Sequence, residues 1–200
     1  EEIMTLRATG QVLGALGVCA TITICTLYVT KSPAQSAKEG QQQTESNASP
    51  IYVITIPDGY RDWRLISVNH LAGAGGKLKQ VRAQLGNDIA IKAFREGKLP
   101  FPDGAIIAAL HWNEASSEEN NKVLDIGFPG VGLQSSVAQS AENVQFMVKD
   151  SKKYAETGGW GFADFKNGKP GNEDLHKTCF ACHQPAKDRD YVFTRYAPTP

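Results

Sequence analysis

The chain has 200 residues, of which 41% are hydrophobic, and this is enough for one ordinary folded domain with accessory sequence. Lys and Arg together number 21, as do Asp and Glu, so the formal net charge is zero. Because there is no basic surface field to attract a polyanion, the composition argues against nucleic-acid binding. The four cysteines form two distant groups, Cys19 with Cys25 and Cys179 with Cys182, which is not the pattern of a disulfide framework.

Residues 1–31 are predicted to meet a membrane. The stretch from Ala8 to Thr30 carries no charge and exceeds the roughly 20 residues that a helix needs to cross the hydrocarbon layer. It fits a transmembrane anchor or a signal segment. The anchor is favoured because the run is longer than a signal core of about 7–15 residues and no clean small-x-small cleavage site follows. Residues 32–50 are rich in Gln, Ser and Asn and are predicted to be a disordered linker.

Residues 51–200 have a globular composition, with short strands and short helices. We predict a strand at 63–68 and a helix that Asn87 caps and that ends at Gly97. A turn at 101–104 leads into a central or covered strand at 105–112, which is apolar on both faces. Further strands are predicted at 144–148, 160–165 and 191–196, with a short helix between Asp150 and Gly158.

The sequence Cys179-Phe180-Ala181-Cys182-His183 lies on a helix that Asn172 is expected to cap and Pro185 to end. Thiols at positions i and i+3 share one face of a helix, so both can form thioethers with the two vinyl groups of one porphyrin. The adjacent His183 then reaches the iron as an axial ligand. The motif therefore predicts one covalently attached haem c, which also places the domain outside the cytoplasm, where the attachment occurs.

Two other interpretations of the cysteine pair are weaker. A zinc site would need two further ligands at suitable spacing, and the chain has no second pair of that kind. A thioredoxin-like redox pair would follow a strand and open a helix in a βαβ unit, and no such setting is predicted here.

Several segments together resemble the cytochrome P-460 family. They are Gly86 to Lys92, the Phe101-Pro102-Asp103-Gly104 turn, Val144 to Asp150, Gly158 to Phe162, and Val192 to Tyr196. The resemblance covers about residues 57–198. It implies an α+β fold, mainly an antiparallel β-sheet with a few short helices and one C-terminal haem site. It also implies a high-spin haem with an open distal side, as in the hydroxylamine-oxidising cytochrome P-460 and the nitric-oxide-binding cytochromes c′-beta.

The hydroxylamine oxidases of this family carry a lysine cross-linked to the porphyrin, on the strand after the Asp-Gly turn. Counting on from Asp103-Gly104, that position falls on Ala109, which cannot make the bond. We therefore predict that the cross-link is missing. His111, two residues on, shares a strand face with Ala109 and is a second distal-pocket candidate; it could also be an ordinary strand-end histidine.

Arg195 and Tyr196 are candidates to steady the haem edge or propionates, although both could equally lie on the sheet surface. Met147 is a conceivable thioether ligand, but packing is the preferred interpretation. The sequence predicts a small-molecule ligand, nitric oxide or hydroxylamine, at an open iron, and leaves catalysis open. The alternative is a membrane-tethered electron carrier with a closed sixth position. A periplasmic redox partner and a homodimer are expected, on the periplasmic side of the bacterial inner membrane, or free in the periplasm if residues 1–31 are cleaved.

Overall fold

The computed structural model describes residues 47–76 and 78–198. The predicted membrane segment and most of the predicted linker lie outside these residues. Ala48 and Ser49, at the end of that linker, are buried, and the Ser49 hydroxyl accepts a hydrogen bond from the Ile54 amide. The packed chain thus includes residues that the composition alone assigned to the linker. No helix within the described residues is long and apolar enough to cross a membrane.

The described residues form one antiparallel sheet whose six strands lie side by side in sequence order. Its inner strands β3 and β4 are also its longest. Three α-helices accompany the sheet, so the predicted α+β fold with a mainly antiparallel sheet is confirmed. The strands are β1 (Arg64–Ala72), β2 (Lys79–Gly86), β3 (Ile106–Ser116), β4 (Ser136–Lys149), β5 (Trp160–Lys166) and β6 (Lys169–Pro170), and the helices are α1 (Asp88–Glu96), α2 (Glu118–Gly127) and α3 (Glu173–His183).

Helices α1 and α3 begin at the asparagines that the capping rules indicate. The Asn87 side chain accepts from the Ala90 amide at the start of α1, and Gly97 ends that helix with φ of 60°. Asn172 accepts from the Leu175 amide at the start of α3. Pro185 follows directly in a 3-10 segment, Gln184–Arg189, which leads into the C-terminal residues.

The two faces of the sheet differ in composition. Residues directly opposite in an antiparallel ladder lie on the same face, and the pairings Ile107↔Met147↔Phe162 and Ala109↔Gln145↔Asp164 define one of them. We call it the α3 face, because α3 packs against it. The other, which we call the Phe146 face, is almost wholly apolar, and Phe146 contacts Tyr60 and Phe165 there with ring centroids 5.1 and 5.9 Å apart.

Several elements differ from the sequence-based expectations. Strands β1 and β4 are longer than predicted, and β2 was missed. Residues 150–159 form turns and a short 3-10 helix, Ala155–Thr157, rather than an α-helix. The predicted strand at 191–196 is wrong: this segment joins no ladder, and its start is bent by Asp190 and Tyr191, whose φ angles are 52° and 64°. Left-handed residues lie outside the β region of the backbone, so the chain does not start as a strand here.

Candidate functional site

His183, the last residue of α3, has a defined orientation. Its Nδ1 lies 2.7 Å from the Tyr191 carbonyl oxygen, which can only accept, so Nδ1 carries the proton and donates. Burial lowers the pKa of His183, which favours the neutral ring. The ring packs between Phe162 and Phe193, with centroids 4.8 and 5.0 Å away. The lone pair on Nε2 is therefore available to a metal.

The two cysteines of the motif are free thiols in the C-terminal half of α3, Cys179 half-buried and Cys182 exposed. Burial, and then the nearby charges of Asp164 and Cys182, raise the pKa of Cys179 to about 11. A redox-active thiol pair instead has a lowered pKa and lies at a helix N-terminus. The position of the cysteine pair in the helix and the raised pKa of Cys179 both argue against the thioredoxin-like interpretation.

His176 fastens α3 to the sheet. The residue is fully buried, and its Nδ1 donates to the Asn172 carbonyl oxygen at 2.8 Å while its Nε2 accepts from the Asp164 amide at 3.1 Å. Both ring nitrogens are thus used within the protein. His176 therefore has a structural role. It fixes the distance between β5 and the part of α3 that carries Cys179, three residues later.

A buried ion pair holds the segment that orients His183. Lys149 Nζ lies 2.8 Å from Asp190 Oδ1, and the two side chains are 5% and 8% exposed. The other carboxylate oxygen of Asp190 accepts from the Phe101 amide at 2.8 Å. Asp190 directly precedes Tyr191, whose carbonyl oxygen accepts the hydrogen bond from His183 Nδ1, so the ion pair fixes the position of that acceptor.

Ala109 and His111 lie on the α3 face of β3, as the strand period predicted. Ala109 is half-buried, and His111 is buried with its Nδ1 2.9 Å from Asn143 Oδ1. The Asn143 amide nitrogen in turn donates to Asp164. Because that carboxylate accepts, the Asn143 oxygen must face His111, and His111 must donate from Nδ1. Burial, followed by the charge of Arg82, lowers the pKa of His111 to about 4, so the ring is neutral with a lone pair on Nε2.

The register gives the spacing of these residues from His183. Phe162, which contacts the His183 ring, is aligned through Met147 with Ile107, two strands away. With strands about 4.8 Å apart and about 3.4 Å per residue, Ala109 lies about 10 Å across and about 7 Å along the sheet from Phe162. His111 lies about 14 Å along the sheet from Phe162. Ala109 is therefore the nearer of the two to the haem motif.

The other sequence candidates have varied surroundings. The Tyr196 ring stacks on Phe94 of α1 with centroids 6.3 Å apart, and its hydroxyl accepts from Arg95 at 3.1 Å. Arg195, beside it, is exposed. Met147 packs on the α3 face among buried residues of the core, as expected.

A family model described as Cytochrome P460 matches residues 57–194, more than half of the chain. The chain belongs to the cytochrome P460 family. A search of curated proteins finds no match. Membership of the cytochrome P460 family implies a haem cofactor and its iron.

The residues present fit such a group. The Nε2 lone pair of His183 suits an iron ligand, and the hydrogen bond to Nδ1 is the kind of second contact that orients metal-bound histidines. Of the two free thiols, Cys182 directly precedes His183 and Cys179 lies one helical turn before it. Within residues 47–76 and 78–198, no three His, Cys, Asp or Glu side chains lie together as a metal-ion site.

Three residues that support the motif were not among the candidates predicted from the sequence: Lys149, Asp164 and Asp190. Asp164 carried one signal, an acidic residue inside an otherwise apolar strand that reads WGFADFK. A charge at such a position is expected to have partners. Lys149 and Asp190 are 41 residues apart, and the sequence held no signal that they meet.

Proposed function

We propose that this protein is a mono-haem c-type cytochrome in which Cys179 and Cys182 attach one haem through two thioethers and His183 is the axial ligand on one side of the iron. The observation that carries this proposal is the Tyr191 carbonyl at 2.7 Å from His183 Nδ1. It leaves Nε2 with a lone pair and fixes the plane of the ring. A histidine ligand needs both.

Two measurements test the attachment. The pyridine haemochrome spectrum should be that of a haem with both vinyl groups saturated, and peptide mass spectrometry should find haem on the peptide that holds Cys179 and Cys182. The Cys182→Ala variant should shift the spectrum to that of a single thioether. Haem that is extracted completely by acidified acetone from the unaltered protein would rule the proposal out.

We further propose that the haem binds or redox-transforms a small ligand, nitric oxide or hydroxylamine, at an open iron site, without a lysyl cross-link. A haem held by one histidine supplies an iron position for such ligands. Ala109 supports the missing cross-link, because a methyl group on the α3 face has no nitrogen to offer the porphyrin. Its small side chain also leaves room over that part of the sheet.

His111 bears on the chemistry of the distal side. Its Nδ1 proton is committed to Asn143, so Nε2 can accept a proton or a hydrogen bond but cannot donate one. Such a group favours a ligand that has a proton to give, as hydroxylamine has and nitric oxide has not. A catalytic role as hydroxylamine or nitric oxide oxidoreductase is consistent with this acceptor.

The same lone pair supports the second candidate function, a periplasmic electron carrier. If His111 Nε2 binds the iron, the sixth position is closed and the iron is low-spin. Optical and EPR spectra of oxidised and reduced protein, with and without nitric oxide, separate the two. We expect a high-spin iron whose spectrum shifts with nitric oxide; a low-spin spectrum that nitric oxide leaves unchanged and that His111→Ala converts to high-spin would favour the carrier.

The wider setting follows from the proposed attachment. We place the haem domain on the periplasmic side of the bacterial inner membrane, where it meets a redox partner, anchored or soluble according to the fate of residues 1–31. A homodimer is proposed from the family resemblance. Fractionation of cells with membrane and periplasmic markers and sedimentation of the purified full chain test these two points.

A further inference from the structure

The segment after the haem motif separates His183 from a cavity on its other side. Tyr191 and Phe193 contact His183, whereas Val192 and Thr194 line a cavity of about 370 Å³ against α1. The backbone of residues 192–194 therefore lies between this cavity and Phe193, which contacts the proposed axial ligand.

The chemistry of this cavity is distinctive. Its floor is apolar and aromatic, with Phe94 and Phe101 in edge contact at 4.9 Å. Lys98, Arg189 and Arg195 stand among its lining residues, and none of the lining residues is an Asp or Glu. Leu99, also in the lining, is 50% exposed. An apolar cavity with the exposed Leu99 at its edge and a cationic rim is complementary to acidic side chains around an apolar contact.

We propose that this basic cavity is the docking surface for an acidic redox protein that exchanges single electrons with the haem. The proposal rests on the proposed haem attachment and names the partner's charge and its place of contact. In the oxidising direction one electron leaves the ferrous iron and the partner is reduced by one electron; no bond forms or breaks, and no proton moves. Because the net charge of the chain is zero, the electrostatic attraction that steers the partner comes from the cations around the cavity.

The first arm of the test measures binding and does not depend on haem. A fluorescently labelled decaglutamate peptide is titrated with the full-length protein at low ionic strength and followed by anisotropy. The variant pair Lys98→Glu/Arg195→Glu should weaken binding by about tenfold or more. The matched pair Lys122→Glu/Lys169→Glu changes the net charge equally, away from the cavity, and should weaken it less than about twofold. Equal weakening by both pairs, or no binding to the unaltered protein, overturns the docking surface.

The second arm measures electron exchange by stopped-flow oxidation of the ferrous holoprotein. Ferricyanide, an anion, should react about tenfold more slowly with Lys98→Glu/Arg195→Glu than with the matched pair, and decaglutamate should inhibit it. Tris(phenanthroline)cobalt(III), a cation, should react faster with the same variant. Both effects should fade in about 0.5 M salt, where charges are screened beyond a few ångströms. Two results would overturn the assignment of electron exchange to this surface. One is inhibition of the oxidation by small anions but not by decaglutamate, and the other is an oxidation rate that is unchanged in Lys98→Glu/Arg195→Glu although this variant binds the peptide more weakly.

Discussion

At the scale of single residues, the buried ion pair between Lys149 and Asp190 stabilises the segment that orients His183. Removing one member of a buried pair leaves the other charge without compensation, which costs about 3–5 kcal/mol. We therefore expect Asp190→Ala to lower the free energy of unfolding by about that amount, measured by urea denaturation followed through tryptophan fluorescence.

An exposed ion pair supplies the comparison. Lys166 lies 3.4 Å from Glu142, with side chains 63% and 32% exposed, and pairs of this kind contribute about 1 kcal/mol or less. Lys166→Met should therefore be nearly neutral. If Asp190→Ala is as mild as Lys166→Met, the ion pair is not what holds the segment.

Asp103 joins the turn before β3 to the turn after β4. Its two carboxylate oxygens accept from the Ser151 amide and hydroxyl, each at 2.7 Å. These hydrogen bonds lower the pKa of Asp103, so its contribution to stability is present above the unfolded-state pKa and is lost as the pH falls through the lowered value in the folded protein. Asp103→Asn should reduce the melting temperature at pH 7.

The same variant should differ less from the unaltered protein in strong acid, because the carboxylate is then protonated in both states. Melting curves from pH 7 down to pH 2 test this. A deficit that stays constant across the range would mean that the charge of Asp103 is not what Ser151 recognises.

At the scale of elements, the two capping asparagines differ in their number of partners. Asn87 Oδ1 accepts from the Ala90 and Ile106 amides, and its amide nitrogen donates to the Gly104 carbonyl, so it links α1 to β3. Asn172 accepts from the Leu175 amide alone. A cap substitution costs about 1 kcal/mol, and each further hydrogen bond about as much again.

We expect Asn87→Ala to destabilise the protein by about 2–3 kcal/mol and Asn172→Ala by about 1 kcal/mol, compared by the same urea titration. Asn87→Asp, which keeps both accepted bonds, should recover most of the loss. Equal costs for the two alanine variants would contradict a linking role for Asn87.

The elements also show where reasoning from sequence succeeded and where it stopped. Caps, turns and the alternating apolar strands are local, and they predicted α1, α3 and β5 almost to the residue. The strand β2 carried the same alternation, with Val81, Ala83 and Leu85 on one face and polar residues between them, so its pattern was present in the sequence and was overlooked. Residues 191–196 looked like a strand because their composition is right, but Asp190 and Tyr191 turn the chain through left-handed φ angles, and it is Ala197, beyond the segment, that donates a hydrogen bond to Ile66 of the edge strand β1.

The residues of the candidate site also fall into those that local sequence patterns predict and those that depend on tertiary packing. Cys179, Cys182 and His183 were found because helix periodicity alone brings them together, and the shared face of Ala109 and His111 followed from the strand period. Lys149, Asp190 and the Asn143–Asp164 contact depend on tertiary packing over long sequence separations. The proton position on His111 depends on that packing too.

At the scale of the whole molecule, the apolar core of the sheet is largely independent of the haem motif. Tyr60, Phe146 and Phe165 pack together on the Phe146 face, away from α3, and each is buried. The α3 face depends more on the motif, since His183 contacts Phe162 and Phe193 there. Loss of haem should therefore loosen one side of the protein and leave the other folded.

The variant Cys179→Ala/Cys182→Ala/His183→Ala, which lacks all three proposed attachment groups, tests this division. We expect its far-ultraviolet circular dichroism to keep the strand signal of the unaltered holoprotein, because the core of the Phe146 face is intact. Amide hydrogen exchange should rise in α3 and in residues 184–198, where packing on His183 is lost, and stay slow in β3 and β4. Fast exchange throughout β3 and β4 would show instead that haem attachment holds the entire sheet together.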